Sequence, residues 1–271
     1  MAIRVCVAGS TGRTGSAVTK AILASDEFEL TGAISRRHTG RDVGELLGLP
    51  ATGLAVTGTL GEGLARPADV LVDFTSPETV KLRALDALAG DVRVVIGTSG
   101  LSAADFAEIA RAAEASGLGV VAAGNFSLTA ALAKSFATIA ARHLPSWEVI
   151  DYAKAEKPDA RNGSARELAE ASGEVAESKL AVPVEGTHGH RDARGATING
   201  TQVHSVRLPG FVLAFESVFG LPSERLTIRH DAGNGPDPYV NGTLLAVRHV
   251  MGITGLVRGL DRLLFGPYPQ I

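Results

Sequence analysis

The chain has 271 residues, of which 45% are hydrophobic and 20% charged, and its formal net charge is −3. That composition excludes a disordered chain, leaves no basic footprint for nucleic acid, and allows one large domain or two modest ones. The single cysteine, Cys6, excludes an internal disulfide and a C-x-x-C metal pair, and no apolar run reaches the roughly 18 residues that cross a membrane.

The first strand is Ile3–Ala8, short, apolar and rich in β-branched residues. It leads straight into Gly9–Ser10–Thr11–Gly12–Arg13–Thr14–Gly15, and Ser16–Ala17–Val18 opens a helical pattern. Strand, glycine turn and helix with G-x-x-G-x-x-G spacing form a dinucleotide fingerprint. The first glycine permits the tight turn, the second lets backbone approach a pyrophosphate, and the third lets the helix pack close to the strand. Amides at the helix start face the phosphates. Gly9, Thr11, Gly12, Arg13, Thr14 and Gly15 are the candidate contacts. The strand begins almost at Met1, so no signal or transit peptide is expected, and the setting is expected to be reducing and cytoplasmic.

Phe28–Ile34 reads as the second strand. A dinucleotide fold often carries an acid at this strand end for the ribose hydroxyl. Here the residues are Ser35–Arg36–Arg37, with no acid before Asp42. Guanidinium groups pair with a 2′-phosphate in two-pronged fashion, so Arg36 and Arg37 favour NADPH, with NADH as the weaker cofactor.

Three more strands follow: Val70–Phe74, Val92–Ile96 and Leu118–Ala123. A helix starts at Thr75–Glu78 and another covers Ala103 to Ala115. Apolar strands alternating with helices predict a Rossmann-type, doubly wound parallel sheet, with its ligand at the carboxyl ends of the strands. The segments at those ends add Phe74, Thr75, Gly97, Thr98, Ser99, Asn125 and Phe126 to the candidate cofactor residues.

From about residue 128 the pattern changes. Thr129 to Leu144 reads as a small-residue helix, Glu148–Tyr152 as a strand and Ala165 to Leu180 as a long helix. Gln202–Arg207, Phe211–Phe219 and Leu226–His230 are strands joined by turns, which predicts an α+β domain with a mixed or antiparallel sheet. Val240 to Phe265 reads as helical, with Gly252 and Gly255 as weak points. The expected organisation is a dinucleotide-binding domain of residues 1–127 with 240–271, and a substrate-binding and oligomerisation domain of residues 128–239.

The stretch Lys154 to Glu167 holds two of the chain's six lysines, Lys154 and Lys157. Ser164 and Glu167 have the spacing of a capping box, so Asn162, Gly163 and Ser164 would present donors to an anion at a helix start, beside Lys157 and Arg161. A pocket for a carboxylate and a plain helix cap both fit that spacing. His188 and His190 form an H-x-H pair in a glycine-rich stretch with no acid or cysteine partner, which reads as a loop, and no metal is expected. His204 and His230 lie in strands and read as structural. There is no G-x-S-x-G nucleophile turn.

Taken together these motifs resemble the 4-hydroxy-tetrahydrodipicolinate reductase (dihydrodipicolinate reductase) family of the lysine pathway, over the whole chain. Val7–Gly15 resembles its N-terminal fingerprint, Asp73–Pro77 its D-F-T-x-P turn, Gly97–Gly100 its G-T-T-G turn and Asn125–Ser127 its N-F-S segment. His204–Arg207 and Ile228–Asp231 resemble strands of its second domain. The family's signature segment reads about E-x-H-H-x-x-K-x-D-A-P-S-G-T-A. Here Asp151 to Ala165 keeps the lysine as Lys157, the Asp159–Ala160 step and Gly163, with Ser164 for threonine, but Ala153 and Lys154 replace both histidines.

The resemblance implies a homotetramer built through the second-domain sheet. It also implies hydride transfer from NADPH to a small, carboxylate-bearing cyclic imine. In the family the first histidine is the proposed proton donor and the lysine helps bind or protonate. Lys157 and Lys154 are therefore the candidate catalytic residues, and Lys157, Asn162, Gly163 and Ser164 the candidate substrate contacts. A reductase of the same build acting on another imine or keto acid, and a catalytically silent NADP-binding paralogue, remain as alternatives at this point.

Overall fold

Short runs of Val, Ile and Leu build the first sheet. The computed structural model describes residues 1–158, 160 and 163–266. In chain order it begins with β1 (Ile3–Ala8), α1 (Arg13–Leu23), β2 (Phe28–Ile34) and two single-turn helices, α2 (Val43–Leu46) and α3 (Leu60–Gly63). It continues with β3 (Val70–Asp73), α4 (Pro77–Ala89), β4 (Arg93–Ile96), α5 (Ala103–Ser116) and β5 (Gly119–Ala122). Pro77 opens α4, where its missing N–H costs nothing, and Ser102 with Asp105 forms a capping box for α5. All four residues of β3 are buried, as are all four of β5. Strands buried on both faces have no polar side, which is why they read as unbroken apolar runs.

The next stretch holds α6 (Leu128–His143), β6 (Trp147–Ala153), α7 (Gly163–Val175), β7 (Ala196–Ile198), β8 (Thr201–Arg207), β9 (Leu213–Leu221) and β10 (Glu224–Ala232). The second sheet has the order β10-β9-β6-β8-β7. β6 and β8 run parallel and the other neighbours antiparallel, so the sheet is mixed. Along β6, Trp147, Val149, Asp151 and Ala153 are buried and the residues between them half-buried. That period of two places one face against a core of Trp147, Val149, Phe215, Phe219, Leu168 and the alanines of α6. The helix expected over Ala165 to Leu180 stops at Val175. Ser178 instead bonds the Trp147 backbone on both sides, and Lys179 N–H donates to the Pro145 carbonyl at 2.8 Å. These tertiary bonds pull the chain out of the helix.

The chain then forms α8 (Asp237–Val250), β11 (Gly255–Arg258) and α9 (Leu260–Phe265). The continuous helix expected over Val240 to Phe265 is therefore broken. Met251 and Gly252 turn the chain, and β11 pairs in parallel with β5, Leu256 opposite Val120. The first sheet is thereby completed as β11-β5-β4-β3-β1-β2, all parallel. The chain divides into two compact units: Met1–Leu128 with the chain from Gly235 onward, and Thr129–Asn234. No helix among the described residues is long and apolar enough to cross a membrane.

Candidate active site

β1 lies between β2 and β3, so the chain leaves it to one side and returns on the other. Parallel sheets bind ligands at such a switch point, outside the carboxyl ends of the strands. The glycine turn closes there. Gly12 N–H donates to the Gly9 carbonyl at 2.9 Å, and the N–H groups of Gly9 and Ser10 donate to the Ile34 carbonyl at 2.9 and 3.2 Å. Gly9 has φ +81°, and a Cβ there would lie 2.4 Å from the Phe74 carbonyl oxygen. At Gly15 a Cβ would lie 2.1 Å from the Gly9 carbonyl oxygen. Neither position accepts a side chain. Gly12 caps α1 without a side-chain bond, and no acid stands in the first turn. Among the described residues the amides of Arg13, Thr14 and Gly15 have no acceptor. Free amides at the positive end of a helix suit an anion, so the turn fits a pyrophosphate.

A cleft of about 290 Å³ opens over this switch point. Gly9, Thr11 and Gly12 form one wall, Ser35, Arg36, Arg37 and His38 a second, and Thr75, Ser76, Thr79 and Arg83 a third. Thr11 Oγ1 and Ser35 Oγ lie 2.7 Å apart and tie the first two walls. Arg36 and Arg37 are exposed. Glu78 sits near Arg36, and its carboxyl is held below the usual range by the Ser76 hydroxyl, its own N–H and the Arg36 charge. His38, Thr79 and Arg83 were not marked by the motifs, and Ser76 lies within the Asp73–Pro77 turn without being one of the candidate contacts. The available signal was the i, i+4 spacing of Thr79 and Arg83, which places both on one face of α4.

Asp73 organises the next part of the edge. It is fully buried. Its Oδ1 accepts from Thr75 N–H at 2.9 Å, Thr75 Oγ1 at 2.6 Å and Thr98 Oγ1 at 3.0 Å. Thr75 and Thr98 are thereby locked together. The Phe74 ring packs so closely on Gly97 that a Cβ there would lie 2.0 Å from it. Phe126 is buried behind Phe74, edge-on at 6.0 Å. Ser99 is exposed, and Asn125 Oδ1 accepts from Ser127 N–H at 2.8 Å. Gly97, Thr98, Ser99 and Asn125 follow β4 and β5 on the same carboxyl edge, and none of them walls the cleft.

In the second unit, β6 ends at Ala153, which is fully buried. Lys154 is exposed, and its carbonyl accepts from Lys157 N–H at 3.1 Å, closing a turn. Lys157 is half-buried. α7 begins at Gly163, which is exposed, while Ser164 is half-buried. Ser164 therefore stands in the first turn of α7, where a capping box would need it ahead of the helix, because Gly163 already takes the helical conformation. Asn162 lies outside the described residues. Beneath the turn, the buried Asp151 pairs with Arg207 at 2.6 Å. Ser205 Oγ lies 3.3 Å from Asp151 Oδ2 and bonds the Ala160 carbonyl, which ties Ala160 to β8. His204 bonds Glu148 at 2.7 Å. Among the described residues no group of three or more His, Cys, Asp or Glu could hold a metal ion.

A parallel sheet with a glycine turn at its switch point, followed in the chain by a second unit with a mixed sheet, is the architecture of a two-unit dinucleotide-binding protein. Residues 3–126 match the family model for the dihydrodipicolinate reductase N-terminus and residues 126–264 that for its C-terminus. The chain is similar to 4-hydroxy-tetrahydrodipicolinate reductases of Desulfitobacterium hafniense (38% identical) and Moorella thermoacetica (39% identical). Each match covers 97% of this chain and 98% of the relative. A dipicolinate-bound dihydrodipicolinate reductase from Paenisporosarcina sp. TG-14 superposes with a TM-score of 0.85 at 30% identity, over 97% of this chain and 99% of that one. The chain belongs to the dihydrodipicolinate reductase family and is an NAD(P)H-dependent reductase of that type.

Proposed function

We propose that this chain reduces 4-hydroxy-tetrahydrodipicolinate, a carboxylate-bearing cyclic imine, with NADPH as the preferred cofactor, in lysine and diaminopimelate biosynthesis. The observation that carries the reading is full-length similarity to reductases of that name, with Lys157 and Gly163 kept in the signature segment and Ser164 in place of its threonine. The first unit is the dinucleotide-binding domain, and the second binds substrate and forms the oligomer. When bound, the cofactor supplies a hydride.

The residues of the chain have separate tasks. The amides of α1's first turn hold the pyrophosphate, and Arg36 and Arg37 hold the 2′-phosphate. Thr75, Gly97, Thr98, Ser99 and Asn125 serve the nicotinamide end, with Phe74 and Phe126 packed behind them. Lys157 holds a substrate carboxylate with Gly163 N–H and the Ser164 hydroxyl. The proton comes from the ammonium of Lys154 or Lys157, since Ala153 has none to give.

That substitution has a kinetic consequence. Proton transfer from a positioned side chain is typically worth about 10²–10⁴-fold in rate, and Ala153 removes one such donor. Turnover is expected about 10²-fold below that of a histidine-bearing relative. The test follows NADPH absorbance with the imine generated in situ. Slow but saturable oxidation, with KM raised in Lys157→Met, supports the reading. A rate equal to the relative's removes the proton argument, and no oxidation removes the substrate.

The expected assembly is a homotetramer through the second sheet. Its support is the face opposite α6 and α7, where Ile150, Tyr152 and Val218 stand half-buried. Mass in solution reads it directly. A cytoplasmic setting fits a biosynthetic reductase.

A further inference from the structure

The cleft at the switch point contains a guanidinium that no sequence motif marks. Arg83 stands on α4, one turn after Thr79, and its side chain is only 15% exposed. Its Nη1 donates to Thr75 Oγ1 at 2.8 Å and to Thr79 Oγ1 at 2.9 Å, and lies 3.5 Å from Oδ2 of the buried Asp73. All three contacts converge on one nitrogen. Nε and Nη2 have no acceptor among the described residues, yet neither is among the fully buried unpartnered atoms. Both therefore keep solvent access, and Arg83 is a wall of the cleft.

A guanidinium clamped in this way is a poor hook for a phosphate. A buried carboxylate already offsets its charge, and its stem is not free to follow an anion. Arg36 and Arg37 differ: both are exposed, and although Glu78 lies near Arg36, neither arginine is clamped by a hydrogen bond or ion pair among the described residues. What Arg83 does offer is a planar guanidinium held at Nη1 in the cleft wall, delocalised and weakly hydrated, of the kind that stacks on aromatic rings. We propose that Arg83 is the platform on which the adenine ring of the cofactor stacks, shared equally by NADPH and NADH, while Arg36 and Arg37 alone read the 2′-phosphate. This rests on reading the first unit as the dinucleotide-binding one.

Fluorescence titration with NADPH, NADH and reduced nicotinamide mononucleotide tests it, on the full chain. Arg83→Met removes the plane and Arg83→Lys keeps the charge without the plane. Each should weaken NADPH and NADH by the same factor, about tenfold, and leave the mononucleotide unchanged. Removing Arg83 strands the buried Asp73, so Arg83→Met could fail to fold. Thr79→Val keeps the guanidinium and loosens its clamp, and should cost both dinucleotides about threefold. A loss confined to NADPH, or full affinity in Arg83→Lys, would overturn the platform in favour of charge. Variants that bind as the unmodified protein does would overturn Arg83 alone. An unmodified protein that binds neither dinucleotide would overturn the dinucleotide reading, and the platform with it.

Discussion

The carboxyl edge of the first sheet and the β6–α7 segment of the second unit differ in what holds them in place. At the first edge, backbone geometry dictates the sequence. Gly9 and Gly15 are required because a Cβ at either would lie within 2.4 Å of a carbonyl oxygen. Asp73 is required because three donors converge on its Oδ1. In the second segment the backbone is equally well anchored, by Asp151, Arg207 and Ser205. The side chains it presents are another matter: Ala153 and Lys154 stand where the resembling family has two histidines. A strand end and a turn accept many residues. On the proposed reading, cofactor binding is thus built into the fold, whereas proton chemistry is carried by a few replaceable side chains.

The strongest way to break that comparison is at the glycine turn. Gly15→Ala puts a methyl 2.1 Å from the Gly9 carbonyl oxygen, backbone that cannot yield without moving β1 or α1. A loss of about 3 kcal/mol in stability is expected, from overpacking against a rigid neighbour. NADPH binding should fall in parallel, since the same shift moves the amides of α1. Urea melts and NADPH titration check both. Full stability with lost binding would mean that the turn serves the ligand alone.

The same contrast explains how much the sequence disclosed. The parallel strands were legible because burial on both faces leaves unbroken runs such as Val70–Leu71–Val72. β11 was not. Its Leu256–Val257 core is short, and its pairing is set by β5, more than a hundred residues earlier. α2 and α3 are single turns, too short to show a helical period. The end of α7 was misplaced because the bonds from Ser178 and Lys179 to the start of β6 are long-range. In the site, the glycine turn and Arg36–Arg37 were visible as local motifs. Arg83 was not, because its place in the cleft is set by Asp73 and Thr75, which reach it only through the fold.

A smaller effect separates the two cofactors. Arg36 and Arg37 wall the cleft from the β2 side, exposed, with no acid at Ser35. NADPH should bind more tightly than NADH by about 1–3 kcal/mol, the usual worth of a charge-assisted contact. The double variant Arg36→Ala, Arg37→Ala should erase that difference and leave NADH affinity unchanged. Calorimetry with both cofactors measures it. Equal affinities in the unmodified protein would show that the exposed pair is merely solvated, and would leave the 2′-phosphate without a reader.

The smallest effect lies in the second unit. His230 on β10 is 6% exposed. Its ring lies 5.3 Å from that of Phe215, Nδ1 is 3.2 Å from Thr129 Oγ1, and Nε2 has no hydrogen-bond partner among the described residues. Burial holds its pKa below the usual histidine value, against a weaker upward pull from Asp231. The sign follows from which state takes the proton. Above about pH 6.5 the imidazole is neutral in both the folded and the unfolded chain, and it makes no difference to stability. As pH falls through 6.5 the unfolded chain binds the proton and the folded one does not, so the folded state loses stability. The loss is complete once pH has passed below the folded pKa. His230→Phe keeps a ring beside Phe215 and removes the titration. Its melting temperature should therefore change less between pH 7.5 and pH 5.5 than that of the unmodified protein, by no more than a few degrees. Identical pH slopes in the two proteins would mean that His230 takes its proton in the folded state, with the β10 strand opening to water around it.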